Sequence, residues 1–447
     1  MAQATEKYAA VIIGAGPAGN AAASTLKAQG KTVAIVEEDL WGGTCPNRGC
    51  DPKKILYAAV EAKQRAALFA GAGLDAKLKT NWPELMANKR AYTREISPST
   101  KGSLANSGIK TYMGHANFSS PTTLEVGGHH LEAENFIIAT GQRPRLLEIP
   151  GKEFLQTSTD FLDLDNLPQD ITIIGGGYVA FELAGIAAAA GSQVTVVLYN
   201  DRPLKAFPKQ LVDKLVVGLE KLAVHFVYNQ DLAEVKKTAP GFQVVGKSGY
   251  THDTNAVFAA VGRQPNVDQL GLTQAGVEYS RFGVIVDRHL RSTAAHIYAV
   301  GDAAASPVPK LTPTAGYEAK YVAEQIAGND AEISYPAVPT TVFSFPKLAQ
   351  VGLTEDEALK DPARYRVKTT DVSSWITYKR QHESETLVQI IEDKLNDQVV
   401  GAACLSMEAD EMINYLTLLI GEQYSAQKLR ATLFAYPTTA SDLQYLY

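Results

Sequence analysis

Cysteine is scarce in this sequence, with three residues among 447, and this excludes a secreted scaffold held by disulfides. Long apolar runs are also missing, since none approaches the ~20 residues that a membrane-spanning helix needs. The apolar stretch Tyr8–Ile13 lacks the charged region that opens a signal peptide and runs into glycines, which indicates a buried strand. The net charge of −6 argues against nonspecific binding to nucleic acid or membrane. We expect a soluble, cytoplasmic protein.

A glycine-rich turn follows this predicted strand. Gly14 allows a tight turn, Gly16 lets a pyrophosphate approach the backbone, and Gly19 lets the next helix lie close to the strand. The N-terminus of that helix offers unpaired N–H groups and a partial positive charge. A second strand ends at Glu37, where a carboxylate can accept hydrogen bonds from a ribose. Strand, turn, helix and acid together predict a bound dinucleotide.

The same pattern returns about 160 residues later, with Gly175 and Gly177 between an apolar stretch and a helix. Here Leu198 stands where a site that prefers NADH would usually hold a carboxylate. Arg202 and Lys205 follow and can neutralise a 2′-phosphate, although both would also suit a solvated loop. We therefore predict NADPH in preference to NADH. Two such turns imply two bound nucleotides.

Two cysteines, Cys45 and Cys50, lie between Glu37 and the next predicted helix. Asp51 and the proline after it suit a helix start, which places Cys50 at a helix N-terminus close to Lys53 and Lys54. The helix and the lysines both favour thiolate over thiol. Such a pair suits two-electron transfer by dithiol–disulfide exchange.

A metal site and an inert core are the alternatives to a redox role for this pair. The cysteines could form half of a zinc site, but Cys404 and His115 are remote in sequence and no other spacing typical of a metal site is present. They could also be two inert buried cysteines, which the flanking glycines and lysines disfavour. The redox interpretation is the better supported of the three.

The segment Gly42–Cys50 resembles the active-site signature of the class I pyridine nucleotide–disulfide oxidoreductases, a family that includes glutathione reductase and dihydrolipoamide dehydrogenase. The resemblance extends over essentially the whole chain. Further segments similar to family motifs are Ile138–Gly141, Ala260–Asn266, Ile297–Asp302, Leu311–Pro313 and Pro339–Glu355.

The resemblance implies that electrons pass from NADPH through FAD to a Cys45–Cys50 redox disulfide and on to a small disulfide, in the service of cell redox homeostasis. Cys50 would face the flavin and Cys45 would exchange with substrate. One of Lys53 and Lys54 would pair with Glu182 near the flavin. The residues expected at FAD are Gly14, Gly16, Gly19, Glu37, Gly43, Thr44, Thr140, Gly141, Gly301, Asp302 and Thr312. Those expected at NADPH are Gly175, Gly177, Tyr178 as a gate, Arg202, Lys205, Gly262 and Arg263.

The C-terminus departs from the family pattern. Tyr436 holds the position of a histidine that, supplied by the partner subunit, protonates the leaving thiol in the family, and Ser441 replaces the glutamate that orients it. A tyrosine with a pKa near ~10 is a poor base but can donate a hydrogen bond. Asp442 is one residue away and could substitute for the acid.

This departure leaves the electron acceptor open. Ser24 and Thr25 replace arginines that glutathione reductases use for peptide carboxylates, and Gln444–Tyr447 lacks the cysteine pair that ends mercuric reductases. Another group could protonate the thiol and preserve disulfide reduction, or the acceptor could be a metal ion, a quinone or dioxygen. A flavin-binding partner protein without turnover is a third, weaker hypothesis.

The predicted architecture is α/β, with two Rossmann-like dinucleotide-binding domains and a C-terminal α+β dimerisation domain. The length predicts about three domains. We expect FAD binding by residues 1–148 and 266–335, NAD(P)H binding by 149–265, and a homodimer interface in 336–447. In the last part, strands are predicted at Leu387–Glu392 and Val399–Leu405 and a helix at Glu411–Gly421.

Overall fold

The fold is that of a computed structural model, which describes residues 5–75 and 77–446. The strands, numbered in chain order, are β1 (Glu6–Ile13), β2 (Val33–Glu37), β3 (Lys110–Met113), β4 (Ala116–Ser120), β5 (Thr123–Val126), β6 (His129–Ile138), β7 (Gln142–Pro144), β8 (Asp170–Ile174), β9 (Gln193–Val197), β10 (Val224–Val227), β11 (Leu232–Lys237), β12 (Phe242–Gly246), β13 (Thr251–Thr254), β14 (Ala256–Ala259), β15 (Arg263–Pro265), β16 (Tyr279–Ser280), β17 (Gly283–Val284), β18 (Ile297–Ala299), β19 (Thr340–Val342), β20 (Lys347–Gly352), β21 (Tyr365–Asp371), β22 (Leu387–Asp393) and β23 (Gln398–Ser406).

The α-helices, numbered in the same way, are α1 (Pro17–Ala28), α2 (Thr44–Arg48), α3 (Cys50–Leu68), α4 (Trp82–Asn106), α5 (Ser158–Phe161), α6 (Tyr178–Ala190), α7 (Lys209–Glu220), α8 (Thr312–Ile326), α9 (Glu355–Ala358), α10 (Ile376–Lys379), α11 (Ala409–Gly421), α12 (Ala426–Ala431) and α13 (Thr439–Leu446). Short 3₁₀ turns cover Lys152–Phe154 and Gly301–Ala303. Among the helices within residues 5–75 and 77–446, none is long and apolar enough to cross a membrane.

The chain divides into two compact units. Unit 1 comprises Met1–Lys53, Ala87–Arg145 and Arg263–Tyr335, and unit 2 comprises Lys54–Met86, Leu146–Gly262 and Pro336–Tyr447. The boundaries of the three predicted domains stay a prediction.

Unit 1 is built on a sheet in the order β3-β2-β1-β6-β5-β4, with β18 also paired to β6. The strands β3, β2, β1, β6 and β18 are parallel, and β1 is buried from Ala10 to Ile13, as its unbroken apolar run predicts. Helix α1 buries small residues, among them Ala18, Ala22 and Ala23, which let it pack closely against this sheet. Its neighbour in the helical layer is α8.

Unit 2 contains a parallel sheet in the order β10-β9-β8-β14, followed by an antiparallel sheet β11-β12-β13. Its C-terminal part is an antiparallel sheet in the order β19-β20-β23-β22-β21, with α11 packed on β20 and β23. The predicted strands in this region are confirmed as β22 and β23, and the predicted helix is confirmed as α11. The α/β fold class is confirmed as well, with a Rossmann-type turn in each unit.

Candidate active site

The first glycine turn allows no side chain at its two ends. Gly14 has φ +103°, and a Cβ there would collide with the carbonyl oxygen of Ala139 at the end of the neighbouring strand. A Cβ on Gly19 would collide with the carbonyl oxygen of Gly14. Helix and turn therefore touch backbone to backbone, which is the close packing expected of Gly19.

The middle of this turn forms a cradle lined by backbone. Gly16 is the N-cap of α1 and has extended backbone, and it caps the helix with no side-chain hydrogen bond. Gly43, at φ +68°, packs against the Gly16 backbone so closely that a Cβ on Gly43 would collide with it. The helix N–H groups thus face a space without side chains, into which the pyrophosphate of FAD fits.

Glu37 ends β2 beside this cradle and is 8% exposed. Its Oε2 accepts a hydrogen bond from the N–H of Ala15 at 2.8 Å, and its Oε1 accepts from the N–H groups of Glu38 and Asp39 at 3.0 and 2.9 Å. Burial raises the pKa of the Glu37 carboxyl, and the three N–H donors oppose that rise. The carboxylate fixes the turn and stands where a ribose hydroxyl would donate to it.

The chain crosses over beside the same sheet at Thr140 and Asn266. The Thr140 hydroxyl donates to the Asn266 carbonyl at 2.7 Å, and the Asn266 amide donates back to the Thr140 carbonyl at 2.9 Å. Gly141, with φ +69°, faces open space. These residues hold the predicted crossover segment in a fixed register.

The second predicted FAD segment is held by an acid that sequence reasoning missed. Glu318 on α8 is fully buried, and its two oxygens accept from the Gly301 N–H at 2.6 Å and the Tyr335 hydroxyl at 2.7 Å. The adjacent Asp302 is largely buried, and burial raises the pKa of its carboxyl. Arg263 and Lys310 oppose that rise. The spacing of Glu318 with Ala315, Ala319 and Val322 on the apolar side of α8 could have indicated its burial.

The second glycine turn repeats the geometry of the first in unit 2. Gly175 has φ +133°, and a Cβ there would collide with the carbonyl oxygen of Ala260. Gly177 is the N-cap of α6 and faces open space. Tyr178, the predicted gate, is 45% exposed. Leu198, at the end of β9, is 2% exposed.

The predicted phosphate-binding cations lie in the loop after β9. Arg202 donates to the Phe207 carbonyl at 3.4 Å and lies 4.0 Å from an Asp356 carboxylate oxygen, while Lys205 is exposed. At the end of the second parallel sheet, Gly262 has φ +108° and faces open space. The next residue, Arg263, belongs to unit 1 and donates to the Gln142 carbonyl there.

The cysteine pair lies in unit 1, in two successive helices. Cys45 is in α2, and Cys50 is the first residue of α3, which confirms the predicted helix start. The Thr312 hydroxyl donates to Cys45 Sγ at 3.2 Å and lies 3.7 Å from Cys50 Sγ. Both cysteines of the pair are partly exposed, whereas Cys404 is fully buried, so the pair is not inert core.

The two thiols influence each other directly. The pKa of the Cys45 thiol is raised, first by its hydrogen bond with the Cys50 sulfur and then by burial, while the Thr312 hydroxyl lowers it. Such coupling requires neighbouring sulfurs, which is what disulfide formation also requires.

Glu182 lies in α6 and is 2% exposed. Its Oε1 accepts from the Phe343 N–H at 2.9 Å, and the Lys54 ammonium lies over the Phe343 ring, 4.2 Å from its centroid. Phe343 thus stands beside both groups within unit 2. The predicted pairing of Glu182 with Lys53 or Lys54 stays a prediction.

The C-terminal segment has one exposed and two enclosed candidates. Tyr436 is 69% exposed. Ser441 is buried at the start of α13, where its hydroxyl donates to the Thr438 carbonyl at 2.7 Å. Asp442 is also buried, which raises the pKa of its carboxyl, and the neighbouring Thr377 hydroxyl opposes the rise. Ser441 and Asp442 are thus enclosed within unit 2.

Comparison with known proteins places this geometry in a family. Pyridine nucleotide-disulphide oxidoreductases match residues 8–319, and the dimerisation domain of the same family matches residues 338–447. Glutathione reductase of Burkholderia cepacia is 32% identical over 434 residues, covering 96% of this chain and 96% of that protein. Dihydrolipoyl dehydrogenase of Geobacillus stearothermophilus is 30% identical over 440 residues, covering 96% of this chain and 93% of that protein.

A solved structure gives the same answer at the level of fold. The HOCl-induced flavoprotein disulfide reductase RclA from Escherichia coli superposes with a TM-score of 0.89 at 27% identity, covering 98% of this chain and 99% of that one. The family implies FAD and a pyridine nucleotide, and the two glycine turns fit them. This chain therefore belongs to the class I pyridine nucleotide–disulfide oxidoreductases and is a flavoprotein disulfide reductase.

Proposed function

We propose that the chain is an NADPH-dependent reductase of small thiol disulfides, in which Cys45 exchanges with the substrate and Cys50 faces the flavin. The main support is the Thr312 hydroxyl, which lies within hydrogen-bonding range of both sulfurs at the start of α8. By resemblance, the segment Leu311–Pro313 packs along the flavin. When bound, FAD supplies two-electron transfer between the nicotinamide and the cysteine pair.

The exchange consumes the reduced pair. Cys45 attacks one sulfur of the substrate as a thiolate, the substrate S–S bond breaks, and the leaving thiolate takes up a proton. Cys50 then attacks the Cys45 sulfur, releases the second thiol and forms the Cys45–Cys50 disulfide. Two electrons leave the pair in each turnover, and hydride from the nicotinamide nucleotide replaces them. Because the Cys50 sulfur raises the pKa of the Cys45 thiol, Cys45 has to lose its proton before it attacks, and the Thr312 hydroxyl, which lowers that pKa, favours this step.

The functional unit in this proposal is a homodimer. Residues 338–447 match the dimerisation domain of the family, and this part of the chain exposes several large apolar side chains. These side chains are Tyr415, Leu418, Leu433, Tyr436 and Tyr445. Tyr436 would act across the interface as a hydrogen-bond donor to the leaving thiol.

The function is tested with single substitutions and a neutral small disulfide, 2-hydroxyethyl disulfide. Cys45→Ser and Cys50→Ser should each lower NADPH-dependent turnover by at least ~1000-fold, since neither leaves a dithiol. Cys404→Ala is the matched control and should retain turnover, because Cys404 is buried in the core of unit 2. Substantial turnover by Cys45→Ser would overturn the proposal.

NADPH is proposed over NADH because Leu198 replaces a carboxylate and two cations follow it. The double substitution Arg202→Ala with Lys205→Ala should raise KM for NADPH about tenfold, the loss expected for two partly solvated contacts to a phosphate. KM for NADH should change less than about twofold. Lys209→Ala, an exposed lysine paired with Asp213, is the matched control. An unchanged KM for NADPH would contradict the assignment.

A further inference from the structure

In unit 1, helix α4 runs beside the segment 41–51, which carries the cysteine pair. A Cβ on Gly42 would lie 3.1 Å from Ile96 Cγ2, so Ile96 packs on the loop. One residue later, the Ser97 hydroxyl oxygen accepts a hydrogen bond from the Trp41 N–H at 3.1 Å. Tyr92 lies one helical turn before Ile96 and so shares its side of the helix.

Tyr92 reaches the first turn of α3. Its hydroxyl donates to Asp51 Oδ2 at 2.7 Å, and Asp51 is the residue directly after Cys50. The pKa of the Tyr92 phenol is raised, chiefly by this hydrogen bond, so the phenol remains a neutral donor. Tyr92 is 43% exposed and Asp51 is half-buried, which leaves the carboxylate accessible while its orientation is fixed.

The Asp51 charge acts on the exchanging sulfur. After Cys50, Asp51 is the charged side chain that most strongly raises the pKa of the Cys45 thiol. The cation nearest in sequence, Arg48 at the end of α2, donates to the Asp39 carboxylate, which offsets its charge locally. Asp51 follows Cys50, whose sulfur lies beside the same Thr312 hydroxyl as Cys45, so Asp51 adds a negative charge to the field that a substrate meets at Cys45.

We propose that Asp51, held by Tyr92, selects disulfide substrates by charge, favouring those with a positive group near the sulfur–sulfur bond and disfavouring anionic ones. This inference rests on the proposed function and specifies its substrate class as disulfides of amine-bearing thiols. It agrees with Ser24 and Thr25, which stand where glutathione reductases carry arginines for anionic peptide substrates. A charge several ångströms away in a partly solvated site changes binding by about fivefold for each unit of substrate charge.

The test compares three small disulfides of similar length at low ionic strength: cystamine, which is cationic, 2-hydroxyethyl disulfide, which is neutral, and 3,3′-dithiodipropionate, which is anionic. Each kcat/KM is divided by the rate of the same disulfide with free dithiothreitol, which removes differences in intrinsic reactivity. The corrected cystamine to dithiodipropionate ratio should be at least about tenfold in the wild type. High salt, about 0.5 M, should reduce it to about twofold or less.

Variants identify the source of the selectivity. Asp51→Asn should lower the corrected ratio to below about threefold, because the amide keeps the size of the side chain and removes its charge. Tyr92→Phe should give an intermediate ratio, since the carboxylate stays but loses its fixed orientation. Glu84→Gln, at the start of α4, removes the same charge elsewhere on the chain and should leave the ratio unchanged. Ratios are compared within each variant, so a general loss of rate does not affect them.

The outcomes separate the two proposals. Equal corrected values for the three disulfides in the wild type would overturn the charge selection and leave the proposed function intact, because the neutral disulfide is still reduced. A wild-type ratio that persists in Asp51→Asn would also overturn the assignment to Asp51. Failure to reduce any of the three disulfides would overturn both.

Discussion

Buried carboxyl groups are treated differently in the two units. In unit 1, Glu37 accepts three backbone hydrogen bonds, and Glu318 accepts one at each of its oxygens. In unit 2, Glu61 and Asp410 share the ammonium of Lys347, which lies 2.9 and 3.0 Å from them. The carboxylates of unit 1 are thus held by hydrogen-bond donors without charge, whereas Glu61 and Asp410 share the buried cation Lys347, and Glu61 also pairs with Arg65 at 3.0 Å.

Glu383 is a buried carboxyl group of unit 2 that also lacks full hydrogen bonding within the described part of the chain. Its Oε2 accepts from the Met407 N–H at 2.9 Å, but within residues 5–75 and 77–446 no donor satisfies its Oε1. Burial raises the pKa of Glu383 to about 7. Glu37 has donors at both of its carboxylate oxygens, whereas Glu383, among the residues that the structure describes, has a donor at one oxygen only and exchanges a proton in the physiological range. Substitutions of these buried groups test the difference between the units.

The largest effect is expected from Lys347→Met. Lys347 has a side chain that is 5% exposed, and its loss removes the cation that Asp410 contacts and leaves Arg65 as the cation beside Glu61. The free energy of unfolding in urea should fall by about 4 kcal/mol. The control is Lys221→Met, whose exposed pair with Glu385 should be worth less than about 1 kcal/mol. Equal losses of unfolding free energy in the two variants would contradict the special role given to the buried cation Lys347.

Glu37→Gln tests the carboxylate held by dipoles. The three donors to Glu37 are backbone N–H groups, so an amide NH₂ would have to face at least one of them. We expect a cost of about 3 kcal/mol, seen as roughly 100-fold weaker FAD binding by the fluorescence of released flavin. Glu318→Gln should weaken FAD binding by about tenfold or less, because the Tyr335 hydroxyl can rotate to accept a hydrogen bond from the amide. The reverse order of the two variants would contradict a leading role for backbone dipoles.

Glu383→Gln should have the smallest effect and the opposite sign. Because the folded pKa of Glu383 lies above the ordinary value, the folded state binds the extra proton between about pH 4.5 and 7, and stability falls as the pH rises through that range. The Glu383→Gln variant has no carboxyl at this position, so it does not lose stability in this way as the pH rises. The stability of the variant relative to the wild type should increase by on the order of 2 kcal/mol from about pH 5 to pH 8, measured by urea unfolding.

A neighbouring acid gives the control for that measurement. Burial acts to raise the pKa of Glu385, but Lys221 and Lys214 outweigh it and lower the pKa. Glu385 therefore contributes stability above the ordinary carboxyl pKa, and that contribution is lost as the pH falls. Relative to the wild type, Glu385→Gln should be less stable by a nearly constant amount from about pH 5 to pH 8, and this difference should shrink only as the pH falls below the ordinary carboxyl pKa. If the stability of both variants relative to the wild type changed with pH in the same way, Glu383 would not be the source of the pH dependence.

The sequence predicts the nucleotide turns well because their constraints are local. The spacing of Gly14, Gly16 and Gly19 is fixed by backbone collisions that involve only a few residues around the turn. Short apolar runs on either side of the polar stretch Lys394–Asp397 also predict β22 and β23, which pair antiparallel with Val388 opposite Cys404. In the same way, the helix start after the cysteines follows from the residues that adjoin it.

Contacts between positions that are distant in sequence are much harder to predict from the sequence. Tyr92 and Asp51 are 41 residues apart, and a tyrosine on the exposed side of a helix has no periodic pattern that indicates its partner. The enclosure of Asp442 beside Thr377 likewise depends on packing within the C-terminal part of unit 2. The proximity of Arg202 to Asp356 is another contact of this kind.

One small ribbon has a consequence for protein engineering. Strands β7 and β15 pair antiparallel in unit 1, with Arg263 opposite Pro144 and Pro265 opposite Gln142. The two ends of the intervening stretch 146–262 are therefore anchored about 5 Å apart, a gap that a two-residue hairpin closes. Because the chain leaves unit 1 and returns to it at one place, insertions or deletions in the loops of this stretch can be accommodated without shifting the strands of unit 1.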